Sequence, residues 1–276
     1  MVDAQAGYIF AQAPNEVDRL QSWARSWEKE TEAMLDRIQV QPGWLAIDLA
    51  CGPLGIIGPL SRRVGSTGRV VASDLNPGML SAARSYAEKN ALKNVEFIQA
   101  NAYQSDLRRA SFDLVHARFM FAPLGQDDIL LNEMIALARP GGIVASQESD
   151  ESGYVCHPPQ PAWERLKQLT VEAFARGGGD YSAGRRTYGL FRRAGLENVQ
   201  ARAACLALPA GHPYRFWPIE SALAFRPRFL EWGLITASEL DHLLQECERI
   251  AGDPETFLTS FLVVQVWGRK PLAEGA

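Results

Sequence analysis

The sequence predicts an α/β protein built on a doubly wound, mostly parallel sheet, with a helix ahead of it and helical insertions behind. Three observations carry that expectation. Between about residues 44 and 149, short apolar runs alternate with longer amphipathic ones. Each short run is bounded by Gly, Pro or Asn. The first short run also ends in an acidic residue and passes straight into a tight small-residue turn, LAIDLACGPLG over residues 45–55. Alternation of this kind is what crossover connections in a parallel sheet require.

The strands are expected at 44–49 (WLAIDL), 69–74 (RVVASD), 95–99 (VEFIQ), 112–117 (FDLVHA) and 142–149 (GIVASQES), each rich in β-branched or apolar residues. Helical spacing of apolar residues fills 56–64, 79–90 and 127–138, with Asn76 as an N-cap and Pro77 at a helix start. Ahead of the core, 16–38 reads as a single amphipathic helix, with Val17, Leu20, Trp23, Trp27, Met34 and Leu35 along one stripe. Behind it, HPPQP at 157–161 breaks the pattern. Helices are expected at 163–176 and 187–194, the second closed by Gly195, with a flexible glycine turn at 177–179 between them. A strand follows at 199–206, then a helical stretch over 213–251 and a last strand at 259–268.

The length of 276 residues fits one large α/β domain carrying insertions, and 47% hydrophobic with 22% charged residues can bury a core. A formal net charge of −4 disfavours nucleic acid as a partner and favours a small-molecule acceptor. The four cysteines, Cys51, Cys156, Cys205 and Cys247, form no CxxC pair, so no metal site is expected. The N-terminus lacks a signal-peptide pattern, and no apolar run reaches the roughly 18 residues of a membrane span. A cytoplasmic protein with reduced thiols is expected, with a homodimer among the open assembly states.

The turn at 48–55 carries the chemistry. Gly52 leaves backbone bare at the carboxyl end of a strand, where open α/β sheets bind ligands. Asp74 ends the next strand, 22 positions on, where a carboxylate can accept both hydroxyls of a ribose. Gly52, Gly55 and Gly58 do not make the G-x-G-x-x-G fingerprint of dinucleotide enzymes, which disfavours an NAD-dependent oxidoreductase. Asp48 would repel a pyrophosphate and suits a cation. S-adenosylmethionine carries a sulfonium and an ammonium and no phosphate.

With these residues in view, the sequence resembles class I S-adenosylmethionine-dependent methyltransferases of the small-molecule type related to ubiquinone and menaquinone biosynthesis enzymes. The resemblance lies in 48–55, in GRVVASDLNPGML at 68–80, in Ala100-Asn101-Ala102, in SFDLVHAR at 111–118 and in RPGG at 139–142, in order and correctly spaced. It covers residues 5–150 well and the remainder thinly, where VWGRKP at 266–271 looks like a last strand. It implies a Rossmann-like, seven-stranded, mostly parallel sheet. The implied divisions are an N-terminal helical segment over the cofactor (1–40), the S-adenosylmethionine-binding core (41–150), a helical lid insertion (151–185), and the rest of the core with a second helical insertion near 210–255 (186–276).

Position by position, the resemblance implies Asp48, Ala50 and Gly52 along the methionine portion, Asp74 and Leu75 on the ribose, and Met79 on the adenine. Asn101 and Ala102 meet the adenine edge, while Ala117 and Arg118 face the sulfonium. Tyr8, Arg19 and Gln21 resemble an N-terminal element that folds over the donor. Ala50 and Leu54 stand where the family usually has Gly, and Asn101 where it usually has Asp. The implied reaction is in-line displacement at the sulfonium methyl, leaving S-adenosylhomocysteine, in which positioning supplies much of the acceleration. An oxygen acceptor of high pKa would also want a base. His116, His157, Glu148, Asp150 and Tyr181 are the titratable candidates; His116 reads as packed core, and His157, Glu148 and Asp150 stand nearest a substrate loop. None is assigned as the base. Aromatic residues crowd the insertions, and a minority are expected to line an apolar acceptor pocket. An alternative reading keeps the donor site in a protein with a non-methylating catalytic or regulatory role.

Overall fold

The computed structural model describes residues 16–272. Its elements in chain order are α1 (Glu16–Ser26), α2 (Glu28–Ile38), β1 (Leu45–Leu49), α3 (Ile57–Val64), β2 (Arg69–Asp74), α4 (Pro77–Lys89), β3 (Val95–Gln99), β4 (Phe112–Arg118), α5 (Phe121–Leu124), α6 (Asp127–Leu137) and β5 (Ala138–Asp150). There follow β6 (Cys156–His157), α7 (Pro161–Arg176), α8 (Gly184–Arg193), β7 (Glu197–Ala204), β8 (Ala207–Leu208), α9 (Trp217–Glu231), α10 (Ala237–Gly252), β9 (Phe257–Thr259) and β10 (Leu262–Arg269). Seven strands form one sheet in the order β3-β2-β1-β4-β5-β10-β7. Among the described strands of this sheet, only β10 runs against its neighbours, pairing antiparallel with both β5 and β7. The predicted doubly wound α/β sheet is what forms.

Side chains alternate across each strand, so the sheet has two buried faces. On one, Ala46, Val70, Ala72, Leu114 and Ala145 pack under Met34, Leu35 and Ile38 of α2, Leu60 of α3 and Leu80 of α4. On the other, Ile47, Val71, Val115 and Val144 pack with Leu130, Leu131 and Met134 of α6 and Phe191 of α8. Strand order reverses between β1 and β4, which places the carboxyl ends of these neighbours at the crevice where such sheets take ligands. Asn76 caps α4 as expected, accepting from Gly78 N at 2.8 Å, with Pro77 next in line.

Four expectations need correction. The helix read over 16–38 bends at Trp27, whose backbone sits at φ −97°, ψ 5°. Its indole is buried and donates to Tyr214 Oη at 3.2 Å, a partner 187 residues away that local spacing does not reveal. The strand expected at 142–149 starts earlier, because RPGG at 139–142 is absorbed into β5, where the pairing with β4 shifts register and Gly141 takes φ 73°. The strand expected at 259–268 divides, because Phe261 leaves the sheet for an aromatic cluster with Trp27 and Trp217. The chain on either side then joins different sheets: β9 pairs with β6 and β8 in a small three-stranded sheet, and β10 enters the main one. Finally, the stretch over 213–251 is a short 3₁₀ helix (Pro213–Phe216) followed by two α-helices. Gly233 at φ 64° ends the first, and a Thr236–Glu239 capping box starts the second. Helices α9 and α10 pack on α7, while α8 packs on the main sheet. No helix among the described residues is long and apolar enough to cross a membrane.

Candidate active site

The turn after β1 depends on its small residues. Ala50, Gly52 and Gly55 all have left-handed backbone, with φ of 52°, 60° and 53°. Alanine tolerates this at a cost of about 1 kcal/mol. Gly55 is constrained further: a Cβ there would lie 2.2 Å from Asp48 Oδ2 and 2.8 Å from the Cys51 carbonyl oxygen. Gly52 is the opposite case. Nothing among the described residues lies within 4 Å of the place its Cβ would occupy, so its backbone is bare of them on that side. Leu54 turns away from that opening and lines a narrow cleft with Ala24, Thr31 and Arg118. Gly55→Ala is therefore expected to unseat Asp48 and to lower unfolding free energy by roughly 3 kcal/mol, read by urea denaturation.

Two carboxylates flank the opening. Asp48, 1% exposed, accepts from Ile56 N at 2.8 Å and from His116 Nδ1 at 2.7 Å. Asp74 accepts from Gly52 N and Asn76 N, each at 2.8 Å. Burial pushes the Asp74 carboxyl above its usual range, against those backbone donors and with the Asp48 charge adding to the rise. The same burial and the same two carboxylates raise the Cys51 thiol. An electronegative opening over bare backbone accommodates a cationic ligand with hydroxyls and repels a phosphate.

Asp48 begins a buried polar row on the α2 face of the sheet, and its proton positions follow from one end. Arg202 has only donors, so the Gln265 oxygen faces its Nη1, at 2.9 Å. Gln265 Nε2 therefore donates to Gln147 Oε1 and to the Glu30 carbonyl, each at 2.9 Å. Thr31 Oγ1 donates to the same Gln147 oxygen at 3.1 Å. Gln147 Nε2 is left to donate to His116 Nε2 at 3.1 Å. His116 thus carries its proton on Nδ1 and gives it to Asp48. Long-range proton–nitrogen NMR is expected to show that tautomer, and Gln265→Leu is expected to release it by freeing Gln147 to flip.

The residues singled out from sequence fall into three groups. Asp48, Ala50, Gly52, Asp74, Leu75, Met79, Asn101, Ala102 and Arg118 come together along the carboxyl ends of β1 to β4 and the segments just beyond. Leu75 and Met79 are half-buried, Ala102 is buried, and Asn101 Oδ1 accepts from Tyr103 N at 2.9 Å. Arg118 braces the turn, donating to the Gly55 carbonyl at 3.1 Å. Gln21 reaches the same turn from α1, donating to the Pro53 carbonyl at 3.3 Å. Arg19 instead pairs with Glu16 and lies over the Trp23 ring. Tyr8 lies outside the described residues.

The acid–base candidates are dispersed. His157 is exposed, in the short β6–β9 pair. Asp150 is paired with Arg185 through two hydrogen bonds of 2.6 and 2.7 Å; burial raises its carboxyl, but Arg185 and Ser152 outweigh that and hold it down at about 2. Glu148 spends both oxygens on the N–H groups of Met120, Phe121 and Ala122, the start of α5. Burial raises its carboxyl to about 8 despite these donors, with the Asp127 charge adding to the rise. Tyr181 is buried beside a cavity, and burial raises its phenol well above the usual range.

That cavity, about 600 Å³ including its mouth, lies between α1, the segment after β4, α7 and α9. Its walls include Trp23, Phe119, Phe174, Tyr181, Trp217 and Phe261. Phe119 directly follows Arg118 and is held at φ 56°, so it projects from the same sheet end as the turn after β1. Phe261 and the Glu148 cap on α5 escaped the sequence reading. The signal for the first was an apolar residue inside an apparent strand, and for the second an acid within a buried one.

Residues 46–142 match the family model described as "Methyltransferase domain". Over 205 residues the chain is 28% identical to a demethylmenaquinone methyltransferase of Bacillus cereus, covering 68% of this chain and 83% of that protein. The chain thus carries a methyltransferase domain and resembles class I S-adenosylmethionine-dependent methyltransferases. Its cofactor is S-adenosylmethionine, its enzyme class is EC 2.1.1, and it resembles the quinone-biosynthesis members of that class. In fold, the methyltransferase is similar to a SAM-dependent methyltransferase from Aquifex aeolicus, with a TM-score of 0.52, 22% identity, and coverage of 72% of this chain and 93% of that one. It is also similar to phosphoethanolamine N-methyltransferase 2 of Haemonchus contortus, solved in complex with S-adenosyl-L-methionine, with a TM-score of 0.51, 17% identity, and coverage of 88% and 52%.

Proposed function

We propose that this methyltransferase acts on a small, largely apolar metabolite, of the natural-product kind, held in the aromatic cavity beside the donor turn. The observation that carries this reading is Phe119: one residue beyond the end of β4, it forms a wall of the cavity while its neighbour Arg118 braces the glycine turn. On this reading Gly52 backs the methionine portion, Asp74 accepts the ribose hydroxyls, and Leu75, Met79, Asn101 and Ala102 form the adenine slot. Asp48, locked by His116 and Ile56, keeps the slot electronegative. Arg118 and Gln21 hold the turn in shape from opposite sides.

The bound donor supplies an electrophilic methyl group for in-line displacement. The protein's part is to aim an acceptor atom at it and exclude water, which well-oriented sites turn into much of the rate enhancement. No titratable side chain is assigned as base, since Glu148 and Asp150 are spent on α5 and on Arg185. In our reading α7, α9 and α10 together form the lid, with α1 closing the other side.

The test uses S-adenosylmethionine labelled in the methyl group and a panel of apolar phenols, enols and amines, with product detection by mass spectrometry. Label transfer to at least one panel member is expected. Leu20→Trp, which crowds the cavity from α1, is expected to cut transfer at least tenfold while S-adenosylhomocysteine affinity stays within about twofold. Donor binding without label transfer across the panel would instead support a protein that holds the donor without spending it.

A further inference from the structure

The cavity walls are mostly apolar but not silent. Among the described residues, the Tyr181 hydroxyl and the Trp217 indole N–H are buried and have no hydrogen-bond partner. Trp23 Nε1 is in the same condition. All three side chains line this one cavity. An unsatisfied buried donor is costly, so three around one space call for a partner that the protein itself does not supply. The other polar side chains in the wall are already donating: Ser149 Oγ to the Tyr181 carbonyl, Ser221 Oγ to the Trp217 carbonyl, and Thr170 Oγ1 to the Leu166 carbonyl. The missing partner is therefore an acceptor of hydrogen bonds.

Charge narrows the class. No carboxylate lines the cavity among the described residues, and its one cationic side chain, Arg19, is engaged with Glu16 through two hydrogen bonds. An ammonium would find no counter-ion there and an unhelpful neighbour. We propose that the cavity binds an uncharged, mostly apolar acceptor molecule bearing a carbonyl-type oxygen, with Tyr181 and Trp217 donating the hydrogen bonds that hold it. This rests on the reading of the cavity as the acceptor site. It makes Tyr181 a donor that orients the acceptor and not the base; burial, which keeps its phenol protonated, agrees with that role. Edge-to-face packing around Phe261, with Trp217 at 5.0 Å and Tyr181 at 6.0 Å, keeps the two rings and their donors in place.

An isosteric probe pair tests the proposal on the full chain. Benzophenone and diphenylmethane differ only in a carbonyl against a methylene, and benzyltrimethylammonium offers a cation of similar bulk. Isothermal titration of each is done with S-adenosylhomocysteine bound, after its own affinity has been measured. Benzophenone is expected to bind about tenfold more tightly than diphenylmethane, and the ammonium more weakly than either. Tyr181→Phe and Trp217→Phe should each shrink the ketone preference about threefold, with S-adenosylhomocysteine affinity and melting temperature little changed; if one variant fails to fold, the other decides. Equal binding of ketone and hydrocarbon, binding of neither, tighter binding of the ammonium, or an undiminished preference in the variants would overturn the proposal. Failure of S-adenosylhomocysteine to bind would strike the donor-site reading instead.

Discussion

Asp74→Ala is expected to weaken S-adenosylhomocysteine binding by about a hundredfold. In our assignment this carboxylate accepts both ribose hydroxyls, and hydrogen bonds to a charged group are worth about 1.5 to 3 kcal/mol each. Losing two, with partial replacement by water, leaves a deficit of about 3 kcal/mol, which corresponds to the hundredfold figure. The same substitution removes the acceptor for Gly52 N and Asn76 N, so the turn loosens and melting temperature falls modestly. Asp74→Asn keeps one oxygen and should fall between the two. Titration calorimetry on the three proteins checks the order: wild type, then Asn, then Ala. An alanine variant that binds as tightly as wild type would remove Asp74 from the donor site.

The second large effect is on pH and stability. Glu148 is buried with its carboxyl raised to about 8, against an ordinary value near 4.5. The folded protein therefore holds this proton more tightly than the unfolded chain. The resulting stabilisation is full below about pH 4.5, declines as pH rises, and is gone above about pH 8. Over that span it amounts to roughly 4 to 5 kcal/mol. Glu148→Gln is uncharged at every pH, and its amide oxygen can still accept from the start of α5. The variant is expected to match wild type near pH 5 and to melt at a higher temperature near pH 9. Thermal denaturation across pH 5 to 9 reads this; parallel curves for the two proteins would contradict it.

What could be read in advance was whatever local rules govern. Asn76 and Pro77 announce a helix start through side-chain capping and a fixed φ, and both sit where expected. The acid–turn–acid spacing of Asp48 and Asp74 follows from strand ends that parallel pairing places side by side. The bend at Trp27 could not be read this way, because its cause is Tyr214. Nor could the row from Asp48 to Arg202, which joins β1, β4, β5, β10 and β7 through residues far apart in sequence. His116 was legible as a packed core residue but not as the group that fixes Asp48. Strands of two or three residues, such as β6, β8 and β9, carry no periodicity to detect.

A crystal structure with S-adenosylhomocysteine bound tests the central claim most directly: that the turn after β1 holds the donor with its sulfur facing the aromatic cavity. The expected result is ribose hydroxyls on Asp74, the methionine portion along Gly52, and the sulfur at the side of the cavity walled by Phe119. S-adenosylhomocysteine bound elsewhere, or seated at the turn with its sulfur closed off from that cavity, would contradict it.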